Sequence, residues 1–179
     1  MRRNRSPRLI HVFADGVIRF GPHRARCALG RTGIVGTKRE GDGGTPVGLF
    51  PLRDVRFRPD VGRPQTLLTC RPILRTHGWC DDPGHALYNR PVRLPFAAGH
   101  EKLRRPDRHY DLVITIGQND RPARPGMGSA IFVHVISEQE NTTEGCVALH
   151  PSAILRLLNW ARAGDLLKVH PPGRLSGGL

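Results

Sequence analysis

The chain has 179 residues, 38% of them apolar and 6% aromatic, and its 28 Lys+Arg against 15 Asp+Glu give a formal net charge of +13. This length is enough for one domain with a single core, and the 21 Gly and 16 Pro indicate many turns. The charge favours a polyanionic partner, but the arginines are spread along the chain without interleaved aromatic residues, which argues against a dedicated nucleic-acid-binding function. No apolar run approaches the roughly 18 residues of a membrane span.

The first predicted elements are strands. Residues 8–14 and 17–20 flank Asp15-Gly16, which is a strong turn signal for a β-hairpin, and residues 25–29 continue the pattern. His11 and Asp15 interrupt the first apolar run, so it reads as a strand and gives no recognisable signal peptide. The glycine-rich segment 37–48 is predicted to be a loop, either a simple connection or one wall of a cleft. Further strands are expected at 49–55, 66–70, 112–116, 130–135, 146–149 and 166–170.

One helix is predicted near the C-terminus. Pro151 suits its first position and Gly164 its exit, and between them apolar residues recur at helical spacing. These are Ile154, Leu157, Leu158 and Ala161. We therefore expect a mainly β domain over residues 8–170 with one substantial helix, and flexible termini at 1–7 and 171–179.

The four cysteines leave several interpretations open. Cys70 and Cys80 could form a disulfide, and His77 between them could complete three metal ligands, although zinc sites usually use more closely spaced cysteine pairs. Free, partly buried thiols are the default expectation. We predict no metal and no cofactor.

A candidate catalytic pair lies near the end of the strand-rich region. Cys146 follows Gly145 and comes twelve positions after His134 (146 − 134 = 12). A cysteine attacks as its thiolate, and an imidazole can take the thiol proton and later return it to a leaving group. Gly145 allows close approach of a substrate carbonyl, and the amide groups around Cys146 could stabilise an oxyanion. The alternative is a small buried cysteine and a hydrogen-bonded core histidine.

Strand geometry indicates how His134 is presented. In 130–135, Ala130, Phe132 and His134 share one face, while the alternate residues share the other, and both faces are largely apolar. His134 would then stand beside an apolar wall that keeps its imidazole neutral. The competing base is His150, which is nearer to Cys146 in sequence but precedes the helix.

Several segments together resemble the YkuD-type L,D-transpeptidase domain. The runs Gly128-Ser129-Ala130-Ile131-Phe132-Val133-His134 and Thr143-Glu144-Gly145-Cys146-Val147 carry most of the similarity. It extends over roughly residues 10–169 and includes Lys38-Arg39-Glu40-Gly41-Asp42, Gly78-Trp79-Cys80-Asp81-Asp82-Pro83, Tyr88-Asn89 and Tyr110-Asp111.

The resemblance implies a β-sandwich or partly closed sheet and an acyl transfer in peptidoglycan. Such enzymes cleave the bond between the L-centre of a diamino acid and a terminal D-alanine, hold the peptide stem as a thioester, and pass it to an amine or to water. On matching positions Cys146 is the nucleophile, His134 the general base and acid, Gly145 and the Cys146 amide form the oxyanion hole, and Thr143 supports the loop. A location in the cell envelope or periplasm follows by resemblance only. An L,D-carboxypeptidase or amidase, or a non-enzymatic cell-wall-binding module, are the alternatives.

The sequence departs from the family pattern in two places. Many members carry an arginine two residues after the cysteine, where this chain has Ala148, so carboxylate recognition is expected from elsewhere. The loop from His134 to the thiol carries Glu138, Glu140 and Glu144, and Glu144 is expected to raise the pKa of the thiol.

Polar and aromatic residues around 79–89 form a second candidate cluster. Trp79, Tyr88 and Asn89 are predicted to bind the peptide stem at a cleft rim. The alternative is a polar loop in which Asp81-Asp82-Pro83 makes a turn. Glu40 and Asp42 are expected to be solvated loop residues.

Overall fold

The computed structural model describes residues 6–137 and 140–178. Strands dominate these residues, with one α-helix and a short 3-10 turn at Ser176–Gly178. The strands are β1 (Leu9–Phe13), β2 (Val17–Phe20), β3 (His23–Gly30), β4 (Ile34–Val35), β5 (Thr45–Pro46), β6 (Gly48–Phe57), β7 (Cys70–Pro72), β8 (His77–Cys80), β9 (Pro91–Arg93), β10 (His100–Lys102), β11 (Leu112–Ile116), β12 (Phe132–Val135), β13 (Thr142–Thr143), β14 (Val147–Leu149) and β15 (Leu166–Val169), and the helix is α1 (Pro151–Trp160).

The main sheet closes on itself. Its strands pair in the order β11-β12-β14-β3-β2-β1-β15-β6-β7, and β6 also pairs with β11. β6 can do this because it is ten residues long: its residues 48–51 pair with β15 and its residues 52–57 pair with β11. The predicted mainly β fold with a partly closed sheet is therefore confirmed.

The strands with strong apolar patterns lie close to their predicted positions, and β2 and β11 have the predicted bounds. The strand predicted at 66–70 is wrong, because only the last residue of this segment, Cys70, pairs with β6. Leu67 is 69% exposed, Thr66 Oγ1 accepts a local bond from the Leu68 amide, and pairing with β6 begins at Cys70. The small sheet β10-β8-β9 was not predicted.

α1 begins at Pro151, as predicted, and packs its apolar face into the main core. It ends earlier than the Gly164 signal suggests, because Ala161 is extended with φ −69° and ψ 150°. Gly164, with φ +93°, lies in the turn that follows. All four residues of the predicted apolar stripe are fully buried: Ile154, Leu157, Leu158 and Ala161.

β12 separates two apolar cores. Ile131, Val133 and Val135 belong to the main core under α1. Ala130 and Phe132 belong to a smaller core that also contains Cys146. The predicted division of faces is confirmed, and it puts the thiol on the side of the strand that carries His134.

The C-terminal segment, expected to be flexible, folds back on the first hairpin. Ser176 is buried, and its hydroxyl donates to Asp15 Oδ2 at 2.6 Å. Arg19 Nη1 donates to the Ser176 carbonyl at 2.9 Å. The described part of 171–179 thus contacts the first hairpin through Ser176. Residues 1–5 of the predicted N-terminal tail, and residue 179, lie outside the described residues.

Candidate active site

A cleft of about 410 Å³ opens between the loop around Lys38, the β10–β11 region and the start of β12. Cys146 and His134 both line it. Its other lining residues include Lys38, Glu40, Gly41, Asp81, Glu101, Arg105, His109, Tyr110, Ser129, Ala130, Thr143 and Glu144. The loop predicted at 37–48 thus forms one wall of the cleft.

Cys146 sits immediately before β14 and is buried. Its thiol donates to the Ala130 carbonyl at 3.2 Å, and its sulfur accepts a bond from the Phe132 amide at 3.3 Å. Burial, followed by the nearby Glu101 carboxylate, raises the pKa of the thiol to about 12. The resting group is therefore a neutral thiol held against the start of β12.

His134 lies on β12, paired with Ala148 of β14 and Val113 of β11. Its Nδ1 is 2.7 Å from the Val135 carbonyl, so when Nδ1 carries the proton the Nε2 atom is left as the basic nitrogen. Tyr110 packs edge-on against the ring at 5.2 Å. Burial lowers the pKa of His134 to about 4, in the direction expected beside an apolar wall. The imidazole and the Cys146 thiol share this cleft but form no hydrogen bond with each other.

The competing histidine is placed elsewhere. His150 is exposed, its Nδ1 lies 3.1 Å from Ser152 Oγ, and it lines a separate pocket with Cys27 and Ala148. Of these two candidates, His134 is therefore the one that shares a cleft with the thiol.

Gly145 has φ +126°, a backbone conformation that residues with a Cβ rarely adopt. A Cβ there would also lie 2.7 Å from the Gly44 carbonyl oxygen. Its amide donates to Thr143 Oγ1 at 3.1 Å, and that hydroxyl donates to the Cys146 carbonyl at 2.7 Å. Thr143 thus holds the loop, and its bond occupies the Gly145 amide that was expected to serve an oxyanion.

The acidic neighbour of the thiol is not the one expected. Glu144 Oε2 pairs with Arg31 Nε at 3.0 Å, its side chain is 75% exposed, and it is not among the causes of the raised thiol pKa. Glu101, from β10, is the nearby carboxylate that raises it. Glu140 pairs with His109, and Glu138 lies outside the described residues.

Ala148 is fully buried, where it packs with Ala28 and Ile136. Positive charge enters the cleft from Lys38 and Arg105 instead. Lys38 Nζ pairs with Asp42, and Arg105 Nε donates to Asp107 Oδ2 at 2.9 Å. Asp42 is thus an ion-pair partner of a buried lysine, which corrects its assignment to a solvated loop.

The predicted substrate rim is placed behind the cleft. Trp79 Nε1 donates to Asn89 Oδ1 at 2.9 Å, and Asn89 is 4% exposed; neither residue lines the cleft. Asn89 Oδ1 also accepts from the Ala130 amide at 3.1 Å. Tyr88 is buried, and its hydroxyl donates a hydrogen bond to Glu40, which lines the cleft. These residues hold the loop that leads into β12.

Glu101 and Tyr110 were missed as site residues. Tyr110 Oη donates to Glu101 Oε2 at 2.7 Å, and both line the cleft. Glu101 lies in a highly charged run and carries no pattern that separates it from a solvated residue. Tyr110 was visible only as part of the resemblance.

No group of three or more His, Cys, Asp or Glu side chains in the described part of the chain could hold a metal ion. All four cysteines are free thiols, including Cys70 on β7 and Cys80 on β8. No helix within residues 6–137 and 140–178 is long and apolar enough to cross a membrane.

Comparison with solved structures identifies similar folds. The helical cell shape determining protein Pgp2 from Campylobacter jejuni matches with a TM-score of 0.52 and 14% identity, over 96% of this chain and 50% of that chain. Bd1075 from Bdellovibrio bacteriovorus matches with a TM-score of 0.48 and 15% identity, over 93% of this chain and 48% of that chain. An L,D-transpeptidase from Xylanimonas cellulosilytica matches with a TM-score of 0.43 and 13% identity, over 94% of this chain and 63% of that chain. This chain therefore spans about half to two thirds of the length of these structures.

No curated protein matches the sequence. Among protein families, the sequence matches YkuD, the L,D-transpeptidase catalytic domain, over residues 4–170. Because the match covers most of the chain, the protein belongs to the YkuD family of L,D-transpeptidase catalytic domains.

Proposed function

We propose that the chain is a peptidoglycan L,D-transpeptidase that uses Cys146 as its nucleophile and His134 as its general base and acid. The observation that carries the proposal is their placement: both side chains line one cleft, on the same side of the paired strands β12 and β14. Family membership supplies the substrate class, a peptide stem that ends in D-alanine. The site of action is then the cell envelope, where this polymer lies.

Acylation begins when the Cys146 sulfur adds to the stem carbonyl. The thiol proton passes to the basic nitrogen of His134, and the amide of Cys146 stabilises the oxyanion. The C–N bond then breaks, D-alanine leaves with the proton from His134, and the stem is held as a thioester. An amine adds to this thioester, the C–S bond breaks, and the proton lost by the amine returns to the sulfur through His134.

The timing of proton transfer follows from the two pKa values. A thiol pKa of about 12 and an imidazole pKa of about 4 make a preformed thiolate–imidazolium pair very rare in the empty cleft. Proton transfer therefore accompanies attack on the bound carbonyl. Binding of the stem also displaces water, which strengthens the interaction between the developing charges.

The test is incubation of the purified protein with defined tetrapeptide muropeptides, followed by mass spectrometry. We expect cross-linked dimers, and an acyl-enzyme lighter than the sum of enzyme and donor by one D-alanine. Cys146→Ala abolishes both products, and His134→Ala lowers turnover by roughly 10²–10⁴-fold, the usual contribution of acid–base catalysis. His150→Ala is the matched control and keeps activity.

Each alternative gives a different product. Shortened monomers without dimers indicate an L,D-carboxypeptidase, and unchanged muropeptides indicate a non-enzymatic binding module. Full turnover in Cys146→Ala contradicts the covalent mechanism.

A further inference from the structure

One wall of the cleft carries three carboxylates without a cationic partner. Glu40, Asp81 and Glu101 line the cleft, and within the described residues none of them forms an ion pair. Nine other carboxylates do pair with Lys, Arg or His: Asp42, Asp54, Asp60, Asp107, Asp111, Asp120, Asp165, Glu140 and Glu144. In a protein of net charge +13, uncompensated negative charge is thus concentrated beside the thiol.

The cations of the same cleft compensate this wall only in part, through the effect of the Arg105 charge on Glu101. Lys38 pairs with Asp42, and the Arg105 guanidinium is held by Asp107. The three carboxylates also repel one another. Burial, and after it neighbouring acids that include Glu40, raise the pKa values of Asp81 and Glu101. A bound cation would relieve this repulsion.

Two of the carboxylates are held in place by tyrosines. Glu101 Oε2 accepts from Tyr110 Oη at 2.7 Å, and Glu40 Oε2 accepts from Tyr88 Oη. Each contact fixes one oxygen and leaves further acceptor capacity on the carboxylate. The wall is therefore preorganised and does not depend on freely moving surface side chains.

A buried hydroxyl in the same cleft supplies an independent indication of a ligand. Ser129 is 6% exposed and lines the cleft, and its Oγ lies near the Tyr88 hydroxyl but makes no hydrogen bond of good geometry among the described residues. Burying a hydroxyl without a partner costs about 1–3 kcal/mol, so such groups usually have a partner in the functional state. An ammonium group has three donors, and it can bond the hydroxyl and a carboxylate together.

We infer that Glu40, Asp81, Glu101 and Ser129 bind an ammonium group of the amine substrate, so that this wall selects a cationic acyl acceptor. The inference rests on the proposed function for the identity of the acceptor as an amine. Aliphatic amines have a pKa near 10.4 and arrive protonated near neutral pH. The wall thus raises the local concentration of acceptor beside the thioester. One of its carboxylates takes a proton from the bound ammonium, and the neutral amine then adds to the thioester, which favours transfer to an amine over hydrolysis.

Binding can be measured without catalysis. Isothermal titration of Cys146→Ala protein with free meso-diaminopimelate, and with its di-N-acetyl derivative, tests recognition of the ammonium group. We expect the acetylated ligand to bind at least about tenfold more weakly, because it lacks the charge-assisted bonds. Glu101→Gln and Asp81→Asn, each added to this protein, weaken binding of the diamino acid by about tenfold, and Ser129→Ala by a few-fold.

Glu144→Gln is the matched control, since this glutamate lines the same cleft but is paired with Arg31 and largely exposed. Glu101→Gln keeps an acceptor for Tyr110 Oη, and if its melting temperature falls, Asp81→Asn and Ser129→Ala decide the result. Equal affinity for both ligands, or unchanged affinity in these variants, overturns the inference.

A turnover experiment separates this inference from the proposed function. With Cys146 intact, Asp81→Asn is expected to yield less amine-transfer product and more hydrolysed stem for each acyl-enzyme formed, and Asp81 is not among the groups that set the thiol pKa. An unchanged ratio of transfer to hydrolysis contradicts the inference. If no acyl-enzyme forms in the wild type, the proposed function fails, while the binding measurement still decides whether the wall recognises an ammonium group.

Discussion

The pKa of the Cys146 thiol is set mainly by burial and next by Glu101. We expect alkylation of Cys146 by iodoacetamide to be at least about tenfold slower at pH 7.5 than that of an unperturbed thiol, and to rise up to about tenfold per pH unit without a plateau below pH 10, because only the thiolate reacts. Peptide mass spectrometry follows this cysteine separately from the other three.

The same measurement distinguishes the two candidate acidic neighbours. Glu101→Gln removes a charge that raises the thiol pKa, so alkylation accelerates at neutral pH. Glu144→Gln removes an exposed carboxylate paired with Arg31 and leaves the rate unchanged. A rate that responds to Glu144 and not to Glu101 contradicts this electrostatic assignment.

Which residues line the cleft could be predicted only in part. Cys146 and His134 were predicted because the motif and strand parity both involve short stretches of chain. Glu101 and Lys38 line the same cleft from β10 and from a loop far away in sequence. No spacing or period marks them, and Lys38 entered the prediction only as part of the family resemblance. The effect expected of Glu144 was wrong because adjacency along the chain does not reveal that Arg31 draws this side chain away.

At the scale of elements, Asn89 connects the small sheet to the loop that enters β12. Its Oδ1 accepts from Trp79 Nε1 and the Ala130 amide, and its Nδ2 donates to the carbonyls of Gln118 and Asn119 at 3.1 and 2.7 Å. The loop needs this support because Ala130 has φ +51°, which is unfavourable for alanine. The Ala130 carbonyl in turn accepts a hydrogen bond from the Cys146 thiol.

We expect Asn89→Ala to lower the free energy of unfolding by about 3 kcal/mol or more, because several buried polar groups lose their partners. The turnover number also falls, because the start of β12 no longer fixes the thiol. Chemical denaturation and steady-state kinetics measure the two effects. Asn159→Ala, at an exposed position of α1, is the control and is expected to change stability by less than about 0.5 kcal/mol. Wild-type stability in Asn89→Ala contradicts the bracing role.

The elements that could be predicted are those whose apolar pattern is continuous. β2 and β11 are buried almost throughout and have the predicted bounds, and α1 buries a regular stripe that indicates its position. β8, β9 and β10 have three or four residues each with glycine, proline and charged side chains, and they exist as strands through pairing with one another. Pairing of this kind is tertiary and leaves no period in the sequence.

Over the whole molecule, closure of the sheet brings residues from distant parts of the chain to one cleft. β6 joins β15, at the end of the domain, to β11, which lies beside β12. The two cores on either side of β12 then fix its orientation, with α1 against one and the thiol in the other. The local chemistry therefore depends on the integrity of the closed sheet.

Burial lowers the pKa values of four histidines, His11, His77, His134 and His170. A folded-state pKa below that of the unfolded chain means that the unfolded state binds more protons over the interval between them. Stability is therefore complete above about pH 6.5 and is lost as pH falls toward 4. His134, with a pKa near 4, contributes up to about 3 kcal/mol of this loss.

Thermal unfolding between pH 7.5 and 4.5 measures this dependence, and comparison with His134→Gln isolates one group. The variant cannot take up the proton, so we expect its stability to change much less over this interval than that of the wild type. His150→Gln is the control, because its side chain is exposed, and it is expected to follow the wild-type curve. Asp81 and Glu101 have raised pKa values and oppose the acid loss in all three proteins alike, so the differences between the curves report the histidine. Parallel curves for wild type and His134→Gln would mean that the pKa of His134 is the same in the folded and unfolded states, and would contradict the claim that burial lowers it.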